Sequence, residues 1–211
     1  MRVMCSNVVL LACYPPRAFR YNQSMSESIQ PENTASKSSD LRYPIGRFAL
    51  PETITPQDID RWLEQIAALP AQLHGAVRNL TDVQLDTRYR PGGWTLRQVV
   101  HHVADSHMNS FIRIKLALTE DNPVIKPYDE NVWINLLDSR GDIEPSLDMI
   151  TALHARGLPL LESLDASDWQ RTFWHPEQEK TVLLEHTLAY YAWHGLHHTA
   201  HITHTRQQHG W

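Results

Sequence analysis

Cysteine is almost missing from this chain: Cys5 and Cys13 are the only two, and both fall before residue 15. The remainder of the chain therefore carries no disulfide framework and no thiolate metal site. No apolar run reaches the roughly 18 residues that a membrane-spanning helix needs. Surplus positive charge is missing too, with 19 Lys and Arg against 24 Asp and Glu and a formal net charge of −5. Nucleic acid is thereby excluded as a generic partner, because neutralising its phosphates takes an excess of cations. The chain contains no phosphate loop, dinucleotide fingerprint or Ser-His-Asp pattern. It does have apolar content for one sizeable core, 42% in 211 residues, which suits one domain plus an extra segment. Histidine is the outlier. Of 13 in the chain, seven (His186, His194, His197, His198, His201, His204 and His209) crowd the last 26 residues.

Residues 1–40 differ in composition from the rest. Asn22 to Asp40 is rich in Ser, Asn, Glu and Gln and offers little to bury. Such a segment cannot offset its ordering entropy and reads as a disordered leader. The run Val8 to Cys13 bears a faint likeness to a lipoprotein cleavage site, which makes export through Cys13 an alternative to a cytoplasmic location. Against it, Arg2 is the sole early positive charge, and Cys5 and Asn7 interrupt the apolar region. A start assigned too far upstream, with Met25 as the natural alternative, is the better reading.

Residues 41–211 read as one all-α domain. Thr55-Pro56-Gln57-Asp58 is a helix start, followed by an apolar stripe of Ile59, Trp62, Leu63, Ile66, Leu69, Leu73 and Val77. Pro70 is expected to kink that helix. After the break at Pro91-Gly92-Gly93, Trp94-Thr95 opens a second helix to about Leu118. Its stripe is Leu96, Val100, Val103, His107, Phe111, Ile114 and Leu118. A long central loop region over 120–145 has room for one short helix, Val132 to Leu137. Ser146 is a candidate cap for a third helix to about Leu164, and a fourth runs from about Thr181 to Gln208. Four long helical patterns without convincing paired strands predict a four-helix bundle. A faint internal echo, Leu80, Leu85 and Tyr89 against Leu164, Trp169 and Phe173, fits two related helix pairs.

On the fourth helix, with His194 at zero and about 100° per residue, His198 falls near 40° and His201 near 340°. Leu183, Thr187, Tyr191 and Ile202 share that arc, so three imidazoles lie on the side best suited to packing inward. Imidazoles at i and i+4 project side by side and can reach one cation. A single buried histidine is ordinarily satisfied by hydrogen bonds, but three on one packing arc point to metal. His186, His197 and His204 fall on a flank beside Trp193, where a solvated or supporting role is expected. The second helix offers His101 and His102 as further ligands, and the helical wheel does not choose between them. His107 sits mid-stripe and reads as a packed core histidine.

Four segments carry a resemblance. They are Tyr43-Pro44-Ile45-Gly46; the long run from Tyr89 through Pro91-Gly92-Gly93-Trp94 and His101-His102-Val103-Ala104-Asp105-Ser106-His107 to Ser110; Lys126-Pro127-Tyr128-Asp129-Glu130; and Trp193 to Thr203. Over residues 41–211 the chain resembles the YfiT group of the DinB superfamily. The resemblance implies a four-helix bundle with one divalent metal, usually on three histidines. One ligand precedes a small-apolar pair and an acid, which maps to His102; the others form an i, i+4 pair on the last helix, His194 and His198. His201 stands where the wider superfamily often has Gln, which implies a role behind the ligands or facing substrate. The family also tends to pair, so a homodimer is expected. The leader has no counterpart in the family pattern.

Three imidazoles leave a coordination position open, the pattern of a catalytic zinc, with nickel as an alternative metal. An open-site zinc can make hydroxide available at neutral pH or hold a thiol as thiolate. The resemblance permits both: hydrolysis of a small-molecule substrate, or transfer of a low-molecular-weight thiol such as bacillithiol to an electrophile. Asp105 is the nearest candidate for a carboxylate base, with a surface ion pair as its plainer role. Asp129 and Glu130 sit in the central loop, where acids either shape a mouth or are merely solvated. Arg97, Arg113 and Lys115 are candidates for anion binding or for salt bridges. The competing class is a non-catalytic metal-binding stress protein. A chain starting at Ser39 is expected to unfold at nearly the same temperature as the full chain; a fall of many degrees in its thermal midpoint would show that the leader packs on the bundle.

Overall fold

The computed structural model describes residues 40–211, so Cys5, Cys13 and the rest of the expected leader lie outside the described residues. The first long helix, α1 (Pro56–Val77), begins as its sequence dictates. Thr55 accepts from the Asp58 amide, the Asp58 carboxylate accepts from the Thr55 amide at 2.9 Å, and Pro56 occupies the first turn. α1 continues as one helix through Pro70. After the one-turn helix α2 (Asp82–Leu85), which has a capping box of its own at Thr81 and Gln84, Thr95 and Gln98 form a third that opens α3 (Leu96–Thr119). The central region holds α4 (Glu130–Trp133), a little earlier than Val132 to Leu137, and a 3₁₀ turn at Asp138–Arg140.

The third long helix, α5 (Glu144–Glu162), starts ahead of Ser146, which does not cap it. One-turn α6 (Ala166–Trp169) leads into two strands, β1 (Thr172–His175) and β2 (Lys180–Leu183). They pair antiparallel, Thr172 opposite Leu183 and His175 opposite Lys180, which corrects the expectation of no paired strands. The cause is local: Thr172-Phe173-Trp174 and Thr181-Val182 are β-branched or aromatic and suit a half-buried pleat. The last helix, α7 (Leu184–His209), therefore begins three residues later than Thr181 and ends on Gly210, left-handed at φ 69°.

The four long helices form the bundle, α1 and α3 each packing on both α5 and α7. Consecutive long helices α1 and α3 thus sit diagonally across it. The core falls into two apolar clusters. One gathers Ile114 of α3 with Leu184 to Ala192 of α7; the other gathers Leu96 to Val103 of α3 with Ile202 of α7. Along α7, His194, His197, His198 and His201 fall between the two clusters, as does His107 along α3, with His101 and His102 just before Val103. Among the described residues no helix is long and apolar enough to cross a membrane.

The approach of α1 to α7 depends on Gly195. A Cβ there would lie 2.7 Å and 2.9 Å from the two methyl carbons of Leu69, itself only 1% exposed. Gly195→Val is expected to destabilise the protein by about 1–3 kcal/mol through overpacking, read as a lower denaturation midpoint with an unchanged denaturant slope.

Candidate metal centre

His102 comes from α3, and His194 and His198 lie one turn apart on α7. One ring nitrogen from each falls within 4.8 Å of the others, and all three residues are buried. His102 and His194 bring their Nε2 atoms to 3.1 Å. The remaining ring pairs stand 4.7 Å (His102 and His198) and 4.4 Å (His194 and His198) apart, centre to centre. Trp94 packs on the His102 ring at 4.6 Å and closes the cluster on that side.

No carboxylate bonds to this trio among the described residues, and burial keeps it neutral. Desolvation, with smaller repulsion from His197, lowers His102 to about 4. His194 and His198 are held well below their ordinary value by burial first and by neighbouring imidazoles second. Neutral imidazoles expose the lone pairs that a metal needs. Two ring nitrogens facing each other at 3.1 Å require a shared proton or a shared cation between them. Bonds of about 2.0–2.1 Å in a tetrahedral zinc site place neighbouring nitrogens roughly 3.3 Å apart. The residues fit a divalent metal.

The other histidines divide clearly. His101 is turned away, with Nδ1 2.8 Å from the Ser146 hydroxyl and Nε2 3.4 Å from the Gly141 carbonyl. That contact occupies the serine expected to cap α5. His197 is buried rather than solvated: it stacks on Trp193 at 4.4 Å, and Tyr43 lies 6.0 Å away. His197, His198 and His201 make a second group that could hold a cation, sharing His198 with the first. His201 stacks on Tyr89 at 4.0 Å and donates from Nε2 to the Arg42 carbonyl at 3.4 Å. His186 and His204 remain partly exposed. His107 is buried as expected, but it bonds to another histidine, His154 of α5, at 3.1 Å.

The trio lies in the wall of a cavity of about 600 Å³. Arg90, Arg113 and Tyr128 face it, and the turn of the β-hairpin adds His175, Glu177 and Gln178. The hairpin residues were missed in the sequence because four-residue strands give a weak periodic signal; the β-branched and aromatic residues of Thr172 to Trp174 and of Thr181 to Val182 were the available clue. Asp105 does not line this cavity. It lies three residues beyond His102 on α3, where burial and then the charge of Asp138 raise its carboxyl to about 6. Glu130 does line the cavity, whereas Asp129 caps α4. Arg97 is bound to Asp82, Asp86 and the Gly141 carbonyl, and Lys115 lies over Phe111. Arg113 is different: it has no ion-pair partner among the described residues, and its Nε is buried without a hydrogen bond.

A helical bundle with a buried histidine group that could hold a metal, open to a cavity, defines the class of protein. The chain belongs to the DinB superfamily, which it matches over residues 65–202. A Bacillus mycoides (strain KBAB4) protein named "Putative metal-dependent hydrolase" is 54% identical over 172 residues, 82% of this chain and 99% of that protein. A relative of the same description from Bacillus thuringiensis subsp. konkukian (strain 97-27) is 54% identical over 173 residues, with the same coverage. Among solved structures the chain is similar to YfiT from Bacillus subtilis, described as a probable metal-dependent hydrolase with an unusual four-helix bundle topology. The TM-score is 0.79 at 48% identity, covering 81% of this chain and 98% of that one. The resemblance to the YfiT group and the all-α bundle expected from it are thus borne out.

The depressed histidines link this site to pH. Their folded-state values lie below the unfolded value of 6.5, so the unfolded chain takes up protons first as pH falls. The thermal midpoint of metal-free protein is expected to hold steady above pH 6.5 and to drop progressively from there to about 4. A midpoint unchanged across that window would show that these rings are not buried neutral.

Proposed function

We propose that this chain is a metal-dependent hydrolase of a small-molecule substrate, with one divalent ion, zinc or alternatively nickel, on His102, His194 and His198. The observation that carries this reading is the meeting of neutral, buried ring nitrogens from two helices at a cavity wall. When bound, an ion with three such ligands and an open position supplies an acidified water, of pKa about 7, and polarises a carbonyl. The chain's own residues do the rest. Trp94 packs over His102 and His198 and shields them from bulk water, while Tyr89 covers His201. His201, with its Nε2 proton committed to the Arg42 carbonyl, stands beside His198 with Nδ1 buried as a free acceptor, which suits a supporting role behind the ligands. Glu130 and Glu177 reach the cavity and replace Asp105 as candidates to take a proton.

Thiol transfer is the second reading, and Arg90 and Arg113 favour it. Their Nε atoms are buried without partners beside the cavity and suit an anionic cosubstrate such as a low-molecular-weight thiol bearing carboxylates. Pairing of two bundles and a cytoplasmic location belong to this proposal as family expectations, the first readable by sedimentation.

Metal content of protein purified without a His tag is expected near one ion per chain, falling well below it in His102→Ala, His194→Ala or His198→Ala. His101→Ala is expected to keep its metal, because its ring is engaged elsewhere. Full occupancy in His198→Ala after mild chelation would remove the ligand assignment. The loaded enzyme is then offered esters and amides, and an electrophile with and without a small thiol. Metal-dependent conjugation without hydrolysis would replace the first reading by the second. Turnover with neither panel at one metal per chain would favour the non-catalytic class.

A further inference from the structure

His107 and His154 take no part in that proposal, yet both are buried in the bundle. Their arrangement starts from a proline. Pro70 has no N–H, so the Ile66 carbonyl four residues earlier loses its helical partner. His154 Nδ1 lies 2.7 Å from that carbonyl oxygen. A carbonyl only accepts, so Nδ1 of His154 carries the proton, and in a neutral ring Nε2 is left as an acceptor. That acceptor is 3.1 Å from His107 Nδ1, which must therefore donate. His107 then presents Nε2 as a lone pair, buried and without a hydrogen-bond partner. His194 presents the complementary vacancy: its Nδ1 is also buried and without a partner. The two rings lie 5.5 Å apart, centre to centre. The two nitrogens are not bonded as the rings stand; turning them to face one another across that separation closes the gap to hydrogen-bond range.

We propose that His107 and His154 are positioning residues: a row of neutral imidazoles running from the Ile66 carbonyl to His194, fixing its proton on Nδ1 and leaving Nε2 free for the metal. The assignment of His194 as a ligand rests on the function proposed above; the row itself does not. Ligand histidines ordinarily donate their second N–H to a carboxylate, a carbonyl or water, which sets tautomer and ring orientation. Here an imidazole does the same without bringing negative charge to the site. Each member is determined by the one before it, because a ring whose Nδ1 donates has only Nε2 left to accept.

The test reads tautomers and metal affinity rather than turnover. Long-range ¹H–¹⁵N correlation spectra of metal-free protein are expected to show His154, His107 and His194 each as a single Nδ1–H form. His107→Phe keeps an aromatic ring, somewhat larger, and removes both contacts. It is expected to give His194 mixed tautomers and zinc affinity about 10–100-fold weaker by chelator competition. His107→Gln, whose amide can donate to His154 and accept from His194, is expected to recover most of that loss. If His107→Phe does not fold, His154→Phe asks the same question one link further away, with a mixed His107 tautomer and weaker zinc binding expected. The proposal is overturned by Nε2–H forms of His107 or His194 in the wild type. It is overturned equally by unchanged tautomers and affinity in whichever Phe variant folds, or by His107→Gln binding zinc as weakly as His107→Phe. Wild-type protein with the three tautomers in place but no bound metal would uphold the row and remove the metal reading instead.

Discussion

Desolvation of a crowd of imidazoles is the constraint on which the rest of this structure depends. Taking titratable rings out of water holds them neutral, and neutral rings can share a cation or bond to one another where charged ones would repel. The fold supplies the enclosure from two apolar clusters, one at each end of the α3–α7 contact, with the histidines largely between them. Aromatic faces finish it: Trp94 on His102, Trp193 on His197 and Tyr89 on His201. Gly195 sits in the same stretch of α7 and lets α1 close against it.

The bundle's connectivity depends on how each pair of long helices is joined. Two similar joints lead into α3 and α7. Each has a one-turn helix with a complete capping box, at Thr81 and at Asp165, and then a short antiparallel pairing before the long helix begins. The echo of Leu85 and Trp169 in the sequence is the buried residue of each one-turn helix, one in each apolar cluster. These joints carry cavity-lining residues as well: Tyr89, Arg90 and Trp94 before α3, and His175, Glu177 and Gln178 before α7.

The features legible in the sequence were local ones. The starts of α1 and α3 were legible because a capping box lies within four residues, and the α1 stripe was legible because its period is set by helix geometry alone. The pairing of His194 with His198 was legible for the same reason. The helical wheel could not choose between His101 and His102, since neighbours on a helix differ by about 100° and their fates depend on what meets them; the resemblance to the family motif made that choice. Ser146 and Gly141 meet one and His194 meets the other. Nor could the burial of His197 be read, because Tyr43, which lies against it, comes from the far end of the described chain. The hairpin was obscured for a different reason: Thr181 to Leu183 continues the apolar pattern of α7 and looks like its first turn.

Every donor gathered in the proposed site is an uncharged imidazole, and the row behind His194 ends on a neutral carbonyl. A divalent ion seated there would keep its full charge, with no protein carboxylate in direct contact to offset it. In a confined cavity that charge is poorly screened and must be answered from outside, so small anions would compete for the open position. A substrate that arrives with its own negative group, or develops one as it reacts, would gain most from such a site, and small anions in the medium would act against it.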